Sequence, residues 1–239
     1  MQPPPKNSRK PTGKAATPRA YHHGDLRKAL VDACVHLIED RGLEAVSVRE
    51  VAKLVGVSPA APFRHFATRT ALLTAVAEEA QERLGASIAD TLSAAARESP
   101  LMQFRAIGVG FLQWSFAHPT HFQVISSRSV IDYEGSELRS RNDLIRAKMN
   151  ELMCDAASQG LLRPGDIKRY QIAARAMVYG LARMYIDGQF PSWGLPVDDS
   201  LAESIKIFDL FIISISMAAE PDGETTTPQT LNKKPSHRF

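Results

Sequence analysis

Apolar residues recur at helical spacing through most of the chain, and this periodicity constrains the fold more than any other feature. The first stripe comprises Leu26, Leu30, Ala33 and Leu37, which lie on one face of an amphipathic helix. Similar stripes continue to residue 219, and no segment alternates apolar and polar residues as a half-buried strand does. The pattern predicts an all-α protein.

Prolines, glycines and capping residues divide these stripes into separate helices. Two short helices are expected near the N-terminus, at residues 25–41 and 47–55, and a long one follows at residues 68–94. Further apolar stripes lie within residues 104–114, 138–156, 167–187 and 199–219. The chain therefore divides into a small N-terminal group of helices and a larger C-terminal helical part.

The N-terminal group follows the helix-turn-helix pattern. Gly42 is expected to cap the first helix in the left-handed conformation, and Ser47 with Glu50 forms a capping box that opens the second. Gly56 supplies a turn, and Ser58 is the expected N-cap of a short third helix. This arrangement is typical of DNA-binding proteins, although a helical hairpin without a DNA role has the same pattern.

The third helix contains two prolines near its start. Pro59 takes the first helical position, where the missing N–H is not needed. Pro62 lacks the N–H that would pair with the Ser58 carbonyl and disfavours α geometry at the preceding residue. We expect a first turn that is loosened or 3₁₀-like, followed by a helix that Phe63 and Phe66 anchor to the core.

The charge of the chain is unevenly distributed. Residues 1–70 hold twelve Lys or Arg against six Asp or Glu, whereas the remaining residues hold seventeen against twenty. This asymmetry favours a nucleic-acid-facing N-terminal part. Residues 1–20 contain five basic residues and no acid, and are expected to be a disordered arm that is either solvated or in contact with DNA. Residues 220–239 are expected to be a disordered tail.

Residues 21–76 resemble the DNA-binding domain of the TetR family of bacterial transcription regulators. The resemblance rests on Arg-Gly at the end of the first helix, Ser-Val-Arg-Glu-Val-Ala in the second, Gly-Val-Ser at the turn and Phe-x-His-Phe in the third. Family members commonly have leucine or isoleucine in place of Pro62, tyrosine in place of Phe63 and lysine in place of Arg69. Phe63 lacks the tyrosine hydroxyl that would make one phosphate contact.

The resemblance implies a domain order and a set of DNA contacts. A helix-turn-helix domain at residues 21–68 would precede a regulatory and dimerisation domain at residues 69–219. Phosphates and base edges of a double-stranded DNA operator would be contacted by Ser47, Arg49, Ser58, Pro59, Ala60, Ala61, Phe63, Arg64, His65 and Arg69. Among these, small residues suit thymine methyl groups and Arg64 suits guanine. The family binds palindromic operators as a homodimer, usually as a repressor.

The resemblance also implies a dimer interface made by the last two helices, about residues 167–187 and 199–219. Ala173, Ala176 and Gly180 form a small-residue face that allows close helix approach. The alternative is that both stripes pack only within their own subunit.

A small-molecule effector of unknown identity is expected between the middle helices. The candidates are aromatic residues and methionines at helical spacing, namely Phe111, Trp114, Phe122, Met149, Met153 and Tyr179. Each could instead be an ordinary core residue. If they form a pocket, it favours an apolar or aromatic effector, and Arg183 could pair with a carboxylate on it.

Catalytic and metal-binding motifs were not found in the sequence, so we expect neither an enzyme nor a cofactor or metal. His22 and His23 are adjacent and do not share a helix face, and the two cysteines, Cys34 and Cys154, are expected to be small buried residues. With no secretory signal and no apolar run long enough to span a bilayer, a cytoplasmic protein without a membrane partner is expected. The alternative function is a helical small-molecule-binding protein, or an enzyme, with a vestigial helix-turn-helix.

Overall fold

A computed structural model describes residues 23–217 of the chain. Within these residues the helices are α1 (His23–Arg41), α2 (Val48–Val55), α3 (Arg69–Ala94), α4 (Pro100–Ala117), α5 (Pro119–Ser126), α6 (Leu138–Ser158), α7 (Ile167–Ile186) and α8 (Ser200–Ile215). The all-α prediction is confirmed. The expectations for residues 1–20, His22 and residues 220–239 lie outside the described residues.

The chain forms two compact units. In the described part, the first unit comprises residues 23–79 and 123–136, and the second comprises residues 80–122 and 137–217. Helix α3 begins in the first unit and ends in the second. Among the described helices, none is long and apolar enough to cross a membrane.

Local sequence signals account for both ends of α2. The Ser47 hydroxyl accepts a hydrogen bond from the Glu50 N–H at 3.1 Å, so the predicted N-cap is confirmed. Gly56 ends the helix in the left-handed conformation, with φ 75° and ψ 28°. The inner face of α2 buries Val48, Val51 and Ala52, which fixes the helix against the core of the first unit.

Gly42 differs from the predicted left-handed cap. Its φ is 81° but its ψ is 167°, so the chain leaves α1 in an extended direction. This turns the Gly42 carbonyl toward the following 3₁₀ turn, where it accepts a hydrogen bond from Ala45 at 3.2 Å. The glycine is needed for its positive φ, as predicted, but the conformation is not that of a helix cap.

The sequence-based prediction contains no helix between residues 114 and 138, so α5 is an addition to it. The His118 N–H closes α4 on the Trp114 carbonyl, and the His118 carbonyl then accepts the Phe122 N–H at 3.0 Å. Pro119 is the first residue of the new helix, where its missing N–H costs nothing. The short helix carries Phe122 into the core of the second unit.

Helix α4 is the centre of the second unit and packs on α6, α7 and α8. Gly108 lets α4 approach α8 closely, because a Cβ there would collide with the ring of Phe208. Two parallel hydrogen bonds join the Arg105 guanidinium to the Asp209 carboxylate, the longer one at 2.9 Å. These contacts hold the last helix against the aromatic core of the unit.

Candidate functional site

The predicted third helix is a single 3₁₀ turn, Ala61–Arg64, here called the recognition turn because the predicted DNA contacts surround it. The Ser58 carbonyl accepts the Ala61 N–H at 3.0 Å, and the Pro62 carbonyl accepts the N–H groups of His65 and Phe66, both at 2.8 Å. The predicted 3₁₀ character is therefore confirmed. The predicted α-helix through Phe66 and the Ser58 side-chain cap are wrong, because Pro62 cannot donate the hydrogen bond that would continue α geometry.

The anchoring of this turn also differs from the prediction. Pro62 and Phe66 are buried, whereas the side chain of Phe63 is 46% exposed. Successive residues of a 3₁₀ helix are rotated by about 120°, so Phe63 faces solvent once Pro62 occupies the core. The guanidinium carbon of Arg27 lies 5.4 Å from the centre of the Phe66 ring, which ties the turn to α1.

The predicted DNA-contacting residues all lie in the first unit. They lie at the start of α2, in and next to the recognition turn, and at the start of α3. Those with exposed side chains are Arg49, Ser58, Pro59, Ala60, Phe63 and Arg64. Those that are half-buried are Ser47, Ala61, His65 and Arg69. Residues 58–64 thus present one guanidinium, one hydroxyl and several small or apolar groups to solvent.

Arg69 has partners within its own domain. Its Nε donates to the Val46 carbonyl at 3.0 Å, and its Nη2 donates to the Leu43 carbonyl at 2.8 Å. The Glu44 carboxylate lies 3.9 Å from Nη2. The guanidinium therefore fastens the α1–α2 connection to the first residue of α3, a role that the sequence did not indicate.

Four of the six predicted effector residues form one cluster in the second unit, here called the aromatic cluster: Phe111, Trp114, Phe122 and Tyr179. The ring centres of the first three lie 5.8 to 6.1 Å apart. The ring centres of Phe122 and Tyr179 lie 5.3 Å apart. On α6, Met153 is fully buried and Met149 is half-buried.

A cation lies at the edge of the aromatic cluster. The guanidinium carbon of Arg175, an exposed residue of α7, lies 4.3 Å from the Phe111 ring centre and 5.5 Å from that of Tyr179. Arg183 pairs instead with Asp187, one turn further along the same helix, at 2.9 Å. The expectation that Arg183 serves an effector carboxylate therefore has no support in its position.

Buried polar atoms of the second unit without a hydrogen-bond partner among the described residues include Nε1 of Trp114, Oε1 of Gln81 and Oγ of Ser204. These residues are 2%, 5% and 0% exposed. Sequence reasoning overlooked Gln81, although it is a polar residue next to Ala80 on the apolar stripe of α3. Unsatisfied buried groups are rare in folded proteins, and ordered water is a common partner for them.

The titratable side chains of the described residues do not gather into a metal site. No group of three or more His, Cys, Asp or Glu side chains there could hold a metal ion. Cys34 is buried as predicted, but the prediction is wrong for Cys154, which is exposed on α6. Burial raises the pKa of the Cys34 thiol from 9.0 to about 12, and the charge of Arg69 partly opposes this shift.

Comparison with known proteins agrees with this geometry. The family described as "Bacterial regulatory proteins, tetR family" matches residues 30–76, and "Tetracyclin repressor-like, C-terminal domain" matches residues 104–208. The chain is 28% identical over 204 residues to the HTH-type transcriptional regulator BetI of Rhizobium meliloti (strain 1021), covering 85% of this chain and 95% of that protein.

Solved structures extend the similarity to the whole fold. A protein with unknown function from Rhodococcus sp. RHA1 is 27% identical with a TM-score of 0.67, covering 83% of this chain and 100% of that one. The TetR family transcriptional regulator PfmR from Thermus thermophilus has a TM-score of 0.62 at 17% identity, over 77% of this chain and 97% of its own, a likeness of fold alone. The chain belongs to the TetR family of ligand-responsive, DNA-binding transcription regulators.

Proposed function

We propose that the protein is a homodimeric repressor that binds a palindromic operator through the recognition turn and releases it when a small aromatic effector binds in the second unit. The observation that carries the proposal is the exposed turn Ala61–Arg64, set in a basic region and held by buried Pro62 and Phe66. Exposed side chains on a fixed turn can reach base edges without reordering the domain.

The exposed side chains of residues 59–64 are of two kinds, one that donates hydrogen bonds to bases and one that makes apolar contacts. Arg64 can donate two hydrogen bonds to the O6 and N7 atoms of a guanine. Pro59, Ala60 and Phe63 have no side-chain hydrogen-bonding group and suit thymine methyl groups. Arg49 and the Ser47 hydroxyl, at the start of α2, suit phosphate oxygens, because helix N-termini and guanidinium groups favour anions.

The proposed dimer interface combines one face each of α7 and α8. On α7 the face consists of Ile172, Ala176 and Gly180, one turn apart, none of them buried in the protomer. On α8 it contains Leu210 and Ile213, of which Ile213 is 66% exposed, and the exposed Met217 follows just after the helix. A row of exposed apolar residues beside small ones favours a self-complementary helix interface, because water would otherwise cover it at a cost in free energy.

The effector is proposed to bind at the aromatic cluster. Tyr179 is half-buried and Arg175 is exposed, so the cluster reaches the surface of the unit. Effector binding would favour a position of α3 in which the two recognition turns of the dimer no longer match the operator half-sites. An effector that binds this conformation more tightly than the operator-binding conformation lowers the affinity for the operator. The size of the effect is set by the ratio of the effector's affinities for the two conformations.

Operator binding by two arginine variants tests the proposal. Arg64→Ala should weaken binding to a selected operator by about 1–3 kcal/mol, whereas Arg97→Ala, an exposed arginine of the second unit, should leave it unchanged. Fluorescence anisotropy on labelled operator gives both values. Equal affinity for the wild type and both variants would contradict the assignment of the recognition turn.

A further inference from the structure

We infer that Arg27 is a positioning residue of the recognition turn and that Glu78 of α3 holds the Arg27 guanidinium in place. Neither residue is among the predicted DNA contacts. Operator affinity then depends on a carboxylate, a group that DNA phosphates repel. The inference rests on the proposed function, because it takes the recognition turn as the part that binds the operator.

Arg27 lies on the inner edge of α1. Leu30 and Val31, three and four residues later, share its face of the helix and are buried. The guanidinium carbon of Arg27 lies 5.4 Å from the centre of the Phe66 ring, within the range of a cation–π contact. Phe66 is 3% exposed and the Arg27 side chain is 54% exposed, so the guanidinium contacts the buried ring from the solvent side.

Phe66 anchors the end of the recognition turn. Its N–H donates to the Pro62 carbonyl at 2.8 Å, and both residues are buried. Phe63 and Arg64, which are exposed, lie between these two anchors in the chain. The position of both exposed side chains therefore depends on where the Phe66 ring is held.

The Arg27 guanidinium also pairs with a carboxylate of α3. Its Nη2 lies 3.7 Å from Oε2 of Glu78, whose side chain is 32% exposed. Ala75, one turn before Glu78, is buried, so this face of α3 is turned toward the interior of the first unit. A long arginine side chain has several rotamers of similar energy, and the ion pair favours the rotamer that lies over the ring. Because Glu78 belongs to α3, the pair ties the turn to the helix that the proposed release step moves.

Both contacts are weak individually, since both lie near the surface. Their effect on operator binding comes through the fraction of protein whose turn is in the binding position. The apparent dissociation constant is the intrinsic constant divided by this fraction. Loss of either partner of the Arg27–Glu78 pair should therefore weaken operator binding about two- to fivefold.

Operator binding by charge variants of the full chain tests the inference. Arg27→Met keeps most of the side-chain length and removes the charge, and Glu78→Gln keeps the shape of the carboxylate. The matched controls are Arg41→Met and Glu39→Gln, which remove the same charges from exposed side chains of α1. Fluorescence anisotropy on a selected operator, at about 50 to 200 mM salt, gives the affinity and its salt dependence. Urea denaturation shows that each variant is folded at the assay temperature.

Glu78→Gln should weaken operator binding about two- to fivefold although it removes a negative charge, whereas Glu39→Gln should not weaken it. Arg27→Met should weaken binding by a similar factor relative to Arg41→Met. The salt dependence should stay the same in both, because no phosphate contact is lost. In the Arg27→Met background, Glu78→Gln should weaken binding no further, since Glu78 acts through Arg27.

Three results would overturn the inference. One is that Glu78→Gln binds the operator as tightly as Glu39→Gln. Another is that Arg27→Met reduces the salt slope by about one relative to the wild type, which would make Arg27 a phosphate contact. The third is that Glu78→Gln weakens binding equally in the wild type and in Arg27→Met. In each case, weaker binding by Arg64→Ala in the same assay would leave the proposed function in place, whereas a wild type without specific operator binding would reject it.

Discussion

Arg69 donates a hydrogen bond from Nη2 to the carbonyl oxygen of Leu43, 2.8 Å away and 26 residues earlier in the chain. The contact joins the first residue of α3 to the connection between α1 and α2. A guanidinium is suited to this role because its planar fork serves two carbonyls at fixed angles, which a lysine ammonium cannot do from one position. Arg69 therefore helps to hold the first unit together.

The variant Arg69→Lys should therefore destabilise the protein even without DNA. We expect the free energy of unfolding to fall by about 1–2 kcal/mol, since two hydrogen bonds to partly buried carbonyls are lost. Urea denaturation of the wild type, Arg69→Lys and Arg49→Lys measures this, with the exposed Arg49 as the matched control. An unchanged midpoint for Arg69→Lys would leave phosphate binding as the better account of this residue.

Phe63 should recognise thymine through its methyl group. Its ring is exposed on the recognition turn and has no hydroxyl with which to bind a phosphate. Replacing the contacted thymine by uracil should weaken operator binding by about 0.8 kcal/mol for the wild type, the value of one buried methyl-sized group. In Phe63→Ala the same replacement should have no effect, because the partner ring is gone.

Binding constants for the two proteins on the two operators form a double-mutant cycle that measures the coupling. The matched control is Leu54→Ala, which removes another exposed apolar side chain of the same unit. If the uracil effect is the same size in the wild type and in Phe63→Ala, the ring does not contact that methyl group.

The sequence predicted the architecture well where local signals and packing agree. The Ser47 cap, the Gly56 turn and the long α3 follow from residues whose preferences match the fold. The adjacency of Phe111 and Trp114 was also predictable, because these residues lie one turn apart on a single helix. Helical periodicity is enough to place such neighbours on one face.

Other features depended on contacts between residues distant in sequence. The exposure of Phe63 follows from Pro62 taking its place in the core, and the Arg69 contacts depend on a connection more than twenty residues away. Gln81 carried a local signal, a polar residue on an apolar stripe, but that its amide oxygen lacks a partner is visible only in the folded structure. Periodicity describes one helix face at a time and does not reveal which faces meet.

Gly180 should be tolerant of a methyl group in the protomer but not in the dimer. A Cβ at Gly180 or at the exposed Gly85 would meet no atom of the protomer within 4 Å. In a helix interior, Gly→Ala stabilises a free chain by roughly 1 kcal/mol. At a closely packed symmetric interface, the extra methyl of each copy costs about 1–3 kcal/mol.

Sedimentation equilibrium of Gly180→Ala and Gly85→Ala separates these cases. We expect Gly180→Ala to raise the dimer dissociation constant about tenfold or more, and Gly85→Ala to leave it unchanged. Equal dissociation constants for the two variants would place the dimer interface away from the Gly180 face of α7.

The buried thiol of Cys34 should make stability depend on pH in the alkaline range. Burial raises the native pKa of this thiol from 9.0 to about 12, so above about pH 9 the unfolded chain ionises while the native thiol stays protonated. The free energy of unfolding should therefore fall by about 1.4 kcal/mol per pH unit from this group. Below the unfolded pKa of about 9 the thiol is protonated in both states, so this group no longer makes the free energy of unfolding depend on pH.

Urea denaturation from about pH 8 to 11 tests this. Cys34→Ala should lose less stability over that range than the wild type, and Cys154→Ala, at the exposed cysteine, should follow the wild type. Identical pH profiles for Cys34→Ala and the wild type would show that the thiol ionises as easily in the native state as in the unfolded chain.

Selection of genomic DNA fragments by the purified full chain at near-physiological salt tests the central claim most directly. A dimeric repressor should recover a common palindrome whose half-sites lie about one helical turn apart, with a guanine and thymines in each half-site. Recovery of no common sequence, with binding that disappears as salt rises, would contradict sequence-specific regulation and leave only phosphate attraction.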